Sequence, residues 1–279
     1  MRLLSPAKIN LFLHIIGKRA DGYHDLVTLM CCVGVYDAIS LDFEAKEISV
    51  VCAHPLVPQD HTNLAYRAAK LFLDHLNTKA GVGITIEKQI PIGAGLGGGS
   101  SNAATVMLGL NRFYGHPLSR ETLIRLGVVI GADVPFFIDQ KPAIATGVGE
   151  ILVPYSGLEP YTVMVVYPGF SVSTAEMFKN INLRLTKGIE KTKISSFKNK
   201  GFDIQRHLCN DFEEMAEEKY PEIAAIKNDL LKHGAIGALM SGSGSAVYGL
   251  FRDREGAAKA LPALSRHRGR QVFVGDVIL

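Results

Sequence analysis

The sequence is short of cysteine, of net charge and of long apolar runs, and each shortage removes a class of protein. No stretch reaches the ~18 apolar residues that a membrane span needs. The opening Met1-Arg2-Leu3-Leu4-Ser5-Pro6 lacks the extended apolar segment of a secretory leader, so secretion is not expected. Thirty Lys and Arg against 27 Asp and Glu leave a formal charge of +3. Apart from Lys187–Lys200 the basic residues are scattered, so no general attraction to nucleic acid or a membrane surface is expected. The four cysteines, Cys31, Cys32, Cys52 and Cys209, contain no CxxC pair, which argues against a zinc site or a disulfide framework. Cys31 and Cys32 lie in the apolar run Leu29-Met30-Cys31-Cys32-Val33 and read as small buried hydrophobes of a reduced, cytoplasmic protein.

What is present is a folding composition. Hydrophobic residues make up 47% and charged residues 20%, enough to bury a core in one large domain or two small ones. Strand-like and helix-like stretches are mixed along the chain. Residues 9–16 are branched and aromatic and read as a strand, with Ile9, Leu11, Leu13 and Ile15 on a core face. Lys8, Asn10, Phe12 and His14 share the other face, more polar than a pure core strand requires. Residues 26–35, 38–43 and 48–52 read as further strands. Thr62 is the expected N-cap of a helix carrying Leu64, Ala68, Leu71, Phe72 and His75 on one face. Residues 82–87 alternate as a half-exposed strand. Helices are expected over 101–113 and after Ser119, the latter with a stripe of Leu123, Leu126 and Ile130.

In the second half, residues 161–167 form an apolar strand ended by Pro168-Gly169. Ser173-Thr174-Ala175-Glu176 has capping-box spacing. Lys187–Lys200 is polar and aperiodic and reads as a loop. Pro221 opens a helix carrying Ile223, Ile226 and Leu230. Residues 235–240 and 246–251 read as two strands joined by Ser241-Gly242-Ser243-Gly244-Ser245. The Pro and Gly content near 154–160 places a domain boundary there.

The strongest local signal is Pro91-Ile92-Gly93-Ala94-Gly95-Leu96-Gly97-Gly98-Gly99-Ser100-Ser101, with five glycines in seven positions opening a helix. Glycine lets backbone N–H groups turn toward an anion, and the helix start adds unpaired donors and partial positive charge. The alternative is a tight turn, but a turn needs one or two glycines rather than five. A Walker loop is excluded because no Gly-Lys-Ser/Thr ending follows. Gly93, Gly95 and Gly98 fit GxGxxG, yet Pro91 separates them from the strand and residues 111–125 read as a turn and a helix where a dinucleotide fold needs a strand. The strand lysine and His-Arg-Asp loop of protein kinases are missing.

The stretch 91–104 resembles the second motif of the GHMP kinases, a superfamily of small-molecule kinases. Ser5-Pro6-Ala7-Lys8-Ile9-Asn10-Leu11 is similar to the first motif, and residues 241–245 to the third. Three motifs in order, from residue 5 to residue 245, make the resemblance one of the whole chain. Gly17-Lys18-Arg19-Ala20-Asp21-Gly22-Tyr23-His24 and Gly131-Ala132-Asp133-Val134-Pro135-Phe136-Phe137 resemble the branch that phosphorylates a cytidine diphosphate-linked methylerythritol in the non-mevalonate isoprenoid pathway. Val128-Val129-Ile130 and Ala246-Val247-Tyr248 depart from the pattern, in apolar stretches only.

The resemblance implies an α+β, two-domain GHMP kinase. A ribosomal-protein-S5-like ATP-binding domain would span 1–153 and a ferredoxin-like substrate-binding domain 154–279, with the active site in the cleft. It implies ATP as phosphoryl donor with Mg2+ bridging phosphate oxygens, no protein metal site, and a monomer or homodimer. Asp133 would be the general base; its local alternative is a turn or N-cap aspartate before Pro135. Lys8 would be its partner; the alternative is a lysine snorkelling out of an apolar strand. Asn10 would bond the erythritol hydroxyls. Tyr23 would stack on the cytosine, His24 would meet its polar edge, and Phe178 would be the second aromatic; a surface turn and an ordinary apolar helix position are the alternatives. Pro91, Ile92, Gly93, Ala94, Gly95, Leu96, Gly97, Gly98, Gly99, Ser100 and Ser101 would hold the ATP phosphates, and Thr62, Asn63 and Lys88 the adenosine. Gly242 and Gly244 would bring backbone to the substrate, unless that loop is a flexible hairpin tip. Homoserine or mevalonate kinase is the alternative activity within the superfamily.

Overall fold

The computed structural model describes residues 1–181 and 201–279; the basic stretch Lys187–Lys200 lies outside the described residues. These fall into two compact units, one built from residues 1–7, 35–92 and 97–140, the other from 8–34, 93–96 and 141–279. Strands β1 (Arg2–Lys18) and β2 (His24–Asp42) each contribute to both. Among the described residues, no helix is long and apolar enough to cross a membrane.

In the first unit, the second half of β2 pairs antiparallel with β4 (Val82–Glu87), Ala38 opposite Glu87 through Asp42 opposite Gly83. Strand β3 (Ile48–Cys52) runs parallel to β4. The alternation expected for 82–87 holds: Val82, Ile84 and Ile86 are buried and Thr85 and Glu87 are exposed. Four helices complete this unit: α1 (Leu64–His75), α2 (Gly98–Phe113), α3 (Arg120–Ile130) and α4 (Val134–Asp139). The N-cap of α1 is Asn63 rather than Thr62. Asn63 Oδ1 accepts the Ala65 N–H at 2.8 Å, while the Thr62 hydroxyl turns back to Asp60. The buried face of α1 is Ala65, Ala68, Ala69, Phe72 and Leu73. Ser119 caps α3 as expected.

In the second unit, the first half of β2 pairs with β5 (Ala143–Gly147), which pairs with β6 (Ile151–Pro154). β7 (Thr162–Tyr167) is followed by α5 (Thr174–Asn180), α6 (Ile204–His207), β8 (Cys209–Asn210), α7 (Glu213–Lys219) and α8 (Pro221–Lys232). β9 (Gly237–Met240), β10 (Val247–Phe251), α9 (Arg254–Leu264) and β11 (Gln271–Ile278) end the chain. The antiparallel order β2–β11–β7–β10–β9 forms the sheet. Its core gathers Leu13 and Ile15, Met164 and Val166, Phe212, and the α8 stripe Ile223, Ile226 and Leu230. Residues 26–35 and 38–43, read separately in the sequence, are one strand of 19 residues. Gly34 does not break it, because a close approach to Gly275 and Asp276 of β11 holds the backbone extended there.

One buried carboxylate fixes the geometry of the first unit. Asp37 on β2 is fully buried. Its Oδ1 accepts the Gln89 and Ile90 N–H groups at 2.7 and 2.8 Å. Its Oδ2 accepts the Lys88 ammonium at 2.5 Å and the Asn102 amide at 2.9 Å. The Asn102 amide also donates to Ser5 Oγ, and Ser5 donates to Ser101. Asp37 thereby straps the chain leaving β4 to the first turns of α2. Asp37→Ala leaves the Lys88 ammonium buried without its counter-charge, which costs on the order of 3–5 kcal/mol. Urea unfolding of that variant is expected to show a loss of this size; a loss under ~1 kcal/mol would contradict the assignment.

Candidate active site

In the second unit, β1 is buried on both faces over most of its length. Lys8 does not snorkel out: it is 4% exposed, and its Nζ donates to Asn10 Oδ1 at 2.5 Å. Asn10 is oriented in turn, its Nδ2 donating to Thr28 Oγ1 at 2.8 Å, while Thr28 donates to the Phe12 carbonyl. The amide oxygen of Asn10 is thus fixed on Lys8. The buried Tyr248 hydroxyl donates to the Asn10 carbonyl at 2.8 Å, and burial pushes its ionisation well up.

The 241–245 loop is buried, so it is no flexible hairpin tip. Asn210 Nδ2 donates to the carbonyls of Met240 and Gly242, at 2.9 and 2.7 Å. A side chain at Gly242 would begin 3.3 Å from Lys8 Nζ, and one at Gly244 would meet Met240 Sδ at 2.7 Å. The structure therefore brings Lys8, Asn10 and Gly242 together.

Residues 93–96 are held by their carbonyls. Gly93 O accepts Val172 N–H, Ala94 O accepts Ala246 N–H, Gly95 O accepts the Ser241 hydroxyl and Leu96 O accepts Lys8 N–H. Gly95 has φ +76°, and a Cβ there would lie 2.0 Å from the Ser241 carbonyl oxygen, so only glycine fits. In the first unit, Gly97 at φ 68° is the N-cap of α2, and the helix starts at Gly98, three residues before the expected start. Among the described residues, none of the N–H groups from Gly93 to Ser100 has an acceptor, whereas Ser101 N–H bonds to Gly97 O. In the second unit, with the carbonyls of 93–96 engaged, the amides of that segment are left to meet an anion; in the first unit, the amides of 97–100 are left at the start of α2. Pro91, Ile92 and Ser100 are half-buried; Ala94, Leu96 and Gly98 are buried; Gly99 is exposed against Leu64. Ser101 is fully buried with its hydroxyl on Ser5, so Ser100 is the serine with access.

Asp133 is the N-cap residue of α4, yet its side chain makes no capping hydrogen bond, and no described group donates to it. A side chain on the neighbouring Gly131 would begin 3.9 Å from Ser100 Oγ. The residues read for adenosine already hold structural partners: Asn63 caps α1 and donates to Pro58 O, Thr62 bonds Asp60, and Lys88 is paired with Asp37. Asp37, Ser5 and Asn102 are polar residues of this region that the sequence reading missed. Among the described residues, no three His, Cys, Asp or Glu side chains come together to hold a metal ion.

Residues 19–23 form the expected turn, with Gly22 at φ +90° and Tyr23 65% exposed. His24 is buried and stacks on Phe178 at 5.2 Å between centroids, and Phe178 meets the core through the edge of Phe212. Burial, reinforced by the Lys18 ammonium, holds His24 below the ordinary histidine value. The folded state therefore binds fewer protons here than the unfolded chain. Its contribution to stability is present above about pH 6.5 and lost as pH falls through the depressed folded value. Urea midpoints of the wild type are expected to fall between pH 7 and pH 5 more steeply than those of His24→Gln; parallel curves would contradict this.

The N-terminal domain model of the GHMP kinases matches residues 63–141, and the C-terminal model matches 185–270. A 4-diphosphocytidyl-2-C-methyl-D-erythritol kinase of Syntrophotalea carbinolica is 47% identical over 276 residues, 99% of this chain and 98% of that one. The protein of the same name from Pelobacter propionicus is 44% identical over 279 residues, covering 100% and 99%. A crystal structure of 4-(cytidine 5'-diphospho)-2C-methyl-D-erythritol kinase superposes with a TM-score of 0.83 at 35% identity, covering 99% of both chains. Homoserine kinase from Cytophaga hutchinsonii shares the fold, with a TM-score of 0.76 at 16% identity over 99% of this chain and 94% of that one. The chain is a two-domain kinase of the GHMP superfamily and belongs to its 4-diphosphocytidyl-2-C-methyl-D-erythritol kinase family.

Proposed function

We propose that the protein transfers the γ-phosphoryl group of ATP to the 2-hydroxyl of 4-diphosphocytidyl-2-C-methyl-D-erythritol, in the isoprenoid precursor pathway that does not pass through mevalonate. The observation that carries the reading is a carboxylate the fold does not use: Asp133 stands at a helix start without capping it. Phosphoryl transfer to an alcohol asks the protein for alignment, a proton acceptor and a place for charge. Asp133 accepts the proton of the hydroxyl. Lys8, whose buried ammonium is aimed by Asn10, stabilises the charge developing on that oxygen. The amides of residues 93–100 hold the phosphates, with Ser100 beside them.

Tyr23 offers an exposed ring face to the cytosine. His24, kept neutral at pH 7 and backed by Phe178, offers one donor and one acceptor to its polar edge. Asn10 and the backbone at Gly242 and Gly244 line the methylerythritol, and Thr62, Asn63 and Lys88 the adenosine. Mg2+ bound together with ATP would offset the charge of the phosphates.

A coupled assay offering 4-diphosphocytidyl-2-C-methyl-D-erythritol, homoserine and mevalonate with ATP tests the substrate. Turnover is expected with the first alone; a preference for either other alcohol overturns the reading. Asp133→Asn is expected to lower turnover by about 10² to 10⁴ with little change in ATP affinity. Near-normal turnover would refute the base.

A further inference from the structure

The phosphoryl-transfer reading leaves His14 of β1 unused. His14 Nδ1 lies 3.2 Å from Asp211 Oδ1, and His14 Nε2 lies 3.2 Å from Cys209 Sγ. His14 is on β1, Cys209 is on β8, and Asp211 directly follows β8. β8 runs parallel to β1 with Cys209 opposite Phe12 and Asn210 opposite Leu13. Asp211 is fixed from both sides: its Oδ2 accepts the Ile15 N–H at 2.7 Å, and its own N–H donates to the Leu13 carbonyl. The Phe12 ring stacks against His14 at 5.6 Å. Cys209 and His14 are both half-buried and so partly open to solvent. The other three cysteines are not: Cys31, Cys32 and Cys52 are buried, and burial pushes the Cys31 and Cys32 thiols up.

A thiol, an imidazole and a carboxylate in line are the arrangement that makes a cysteine nucleophilic. Asp211 accepts the Nδ1 proton, which leaves Nε2 as the acceptor for the thiol proton. The His207 carbonyl, also 3.2 Å from Sγ, competes for that proton in the resting thiol. We propose that Cys209, His14 and Asp211 form a thiol-modification site for low-molecular-weight disulfides, and that its occupation lowers kinase turnover. In the exchange, the Cys209 thiolate attacks one sulfur of the disulfide. An S–S bond to Cys209 forms, the original S–S bond breaks, and the departing thiolate takes the proton held by His14. Cys209 is oxidised and the released sulfur is reduced, so the step balances. The route to activity is short. Asn210, the next residue, holds the Gly242 carbonyl, and Gly242 lies beside Lys8 and Asn10.

The test uses the full chain at pH 7 with 5,5′-dithiobis(2-nitrobenzoate) as the disulfide. A thiol of ordinary pKa is only a few per cent thiolate at that pH. Peptide mapping is expected to place the first label at Cys209, attached about 10-fold or more faster than to the same cysteine in urea-unfolded chain. His14→Gln is expected to slow labelling about 10-fold. Labelled wild type is expected to lose at least about 5-fold in turnover on whichever alcohol it phosphorylates, with recovery in dithiothreitol. Cys209→Ser is expected to keep its turnover with and without the reagent. A Cys209 that stays unlabelled in the folded protein overturns the proposal, as does a labelling rate unmoved by His14→Gln or a labelled enzyme of full activity. Should His14→Gln not fold, the comparison of native with unfolded wild type decides. Labelling is read independently of catalysis, so a wrong alcohol would leave this result standing.

Discussion

A buried ammonium is the constraint around which the second unit is built. Taking a charge out of water costs several kcal/mol unless hydrogen bonds and neighbouring charge offset it. Lys8 is nevertheless inside, on a strand whose adjacent residues are buried. The chain Lys8–Asn10–Thr28–Phe12 and the Tyr248 bond to Asn10 join β1 to β2 and β10 around that charge. A lysine held so tightly, with its neighbours oriented to serve it, is poorly explained by stability alone. The proposed reaction gives it a use: a fixed cation beside the substrate oxygen on which negative charge develops.

The glycine-rich segment, proposed to hold the phosphates, follows a similar logic with backbone in place of side chain. Four successive carbonyls, from Gly93 to Leu96, accept protein donors, so the peptide planes are set before any ligand arrives. The glycines make this possible where the chain approaches Ser241 closely. In the first unit Asp37 sets the α2 start by gathering Lys88, two backbone amides and Asn102. Prepaid positioning of this kind is how an enzyme with little covalent work to do lowers its barrier.

Local pattern made much of this visible in the sequence. The strand at 82–87, the Ser119 cap, the Pro221 start and the Ile223–Ile226–Leu230 stripe all stand as read, because propensity and tertiary packing agree there. The misses have physical causes. Asn63 displaced Thr62 as N-cap because both residue types cap well and one residue of register decides. Residues 24–42 became one strand because pairing with β5, β11 and β4 in succession overrides the glycine at 34. Asp37 gave no signal: a lone aspartate in an apolar strand says nothing of the distant amides it will gather. The same holds for the His14–Asp211–Cys209 line, in which His14 lies far in sequence from the other two and reaches them through the β1–β8 pairing.

The central claim is that Lys8 acts on the transferring group through its charge, and Lys8→Met measures it most directly. That substitution keeps the length of the side chain and removes the ammonium. Turnover is predicted to fall by about 10² to 10³, the usual worth of one positioned electrostatic group, with the fold intact and the Michaelis constant for ATP little changed. A folded Lys8→Met protein that turns over within a few-fold of the wild type would contradict the account.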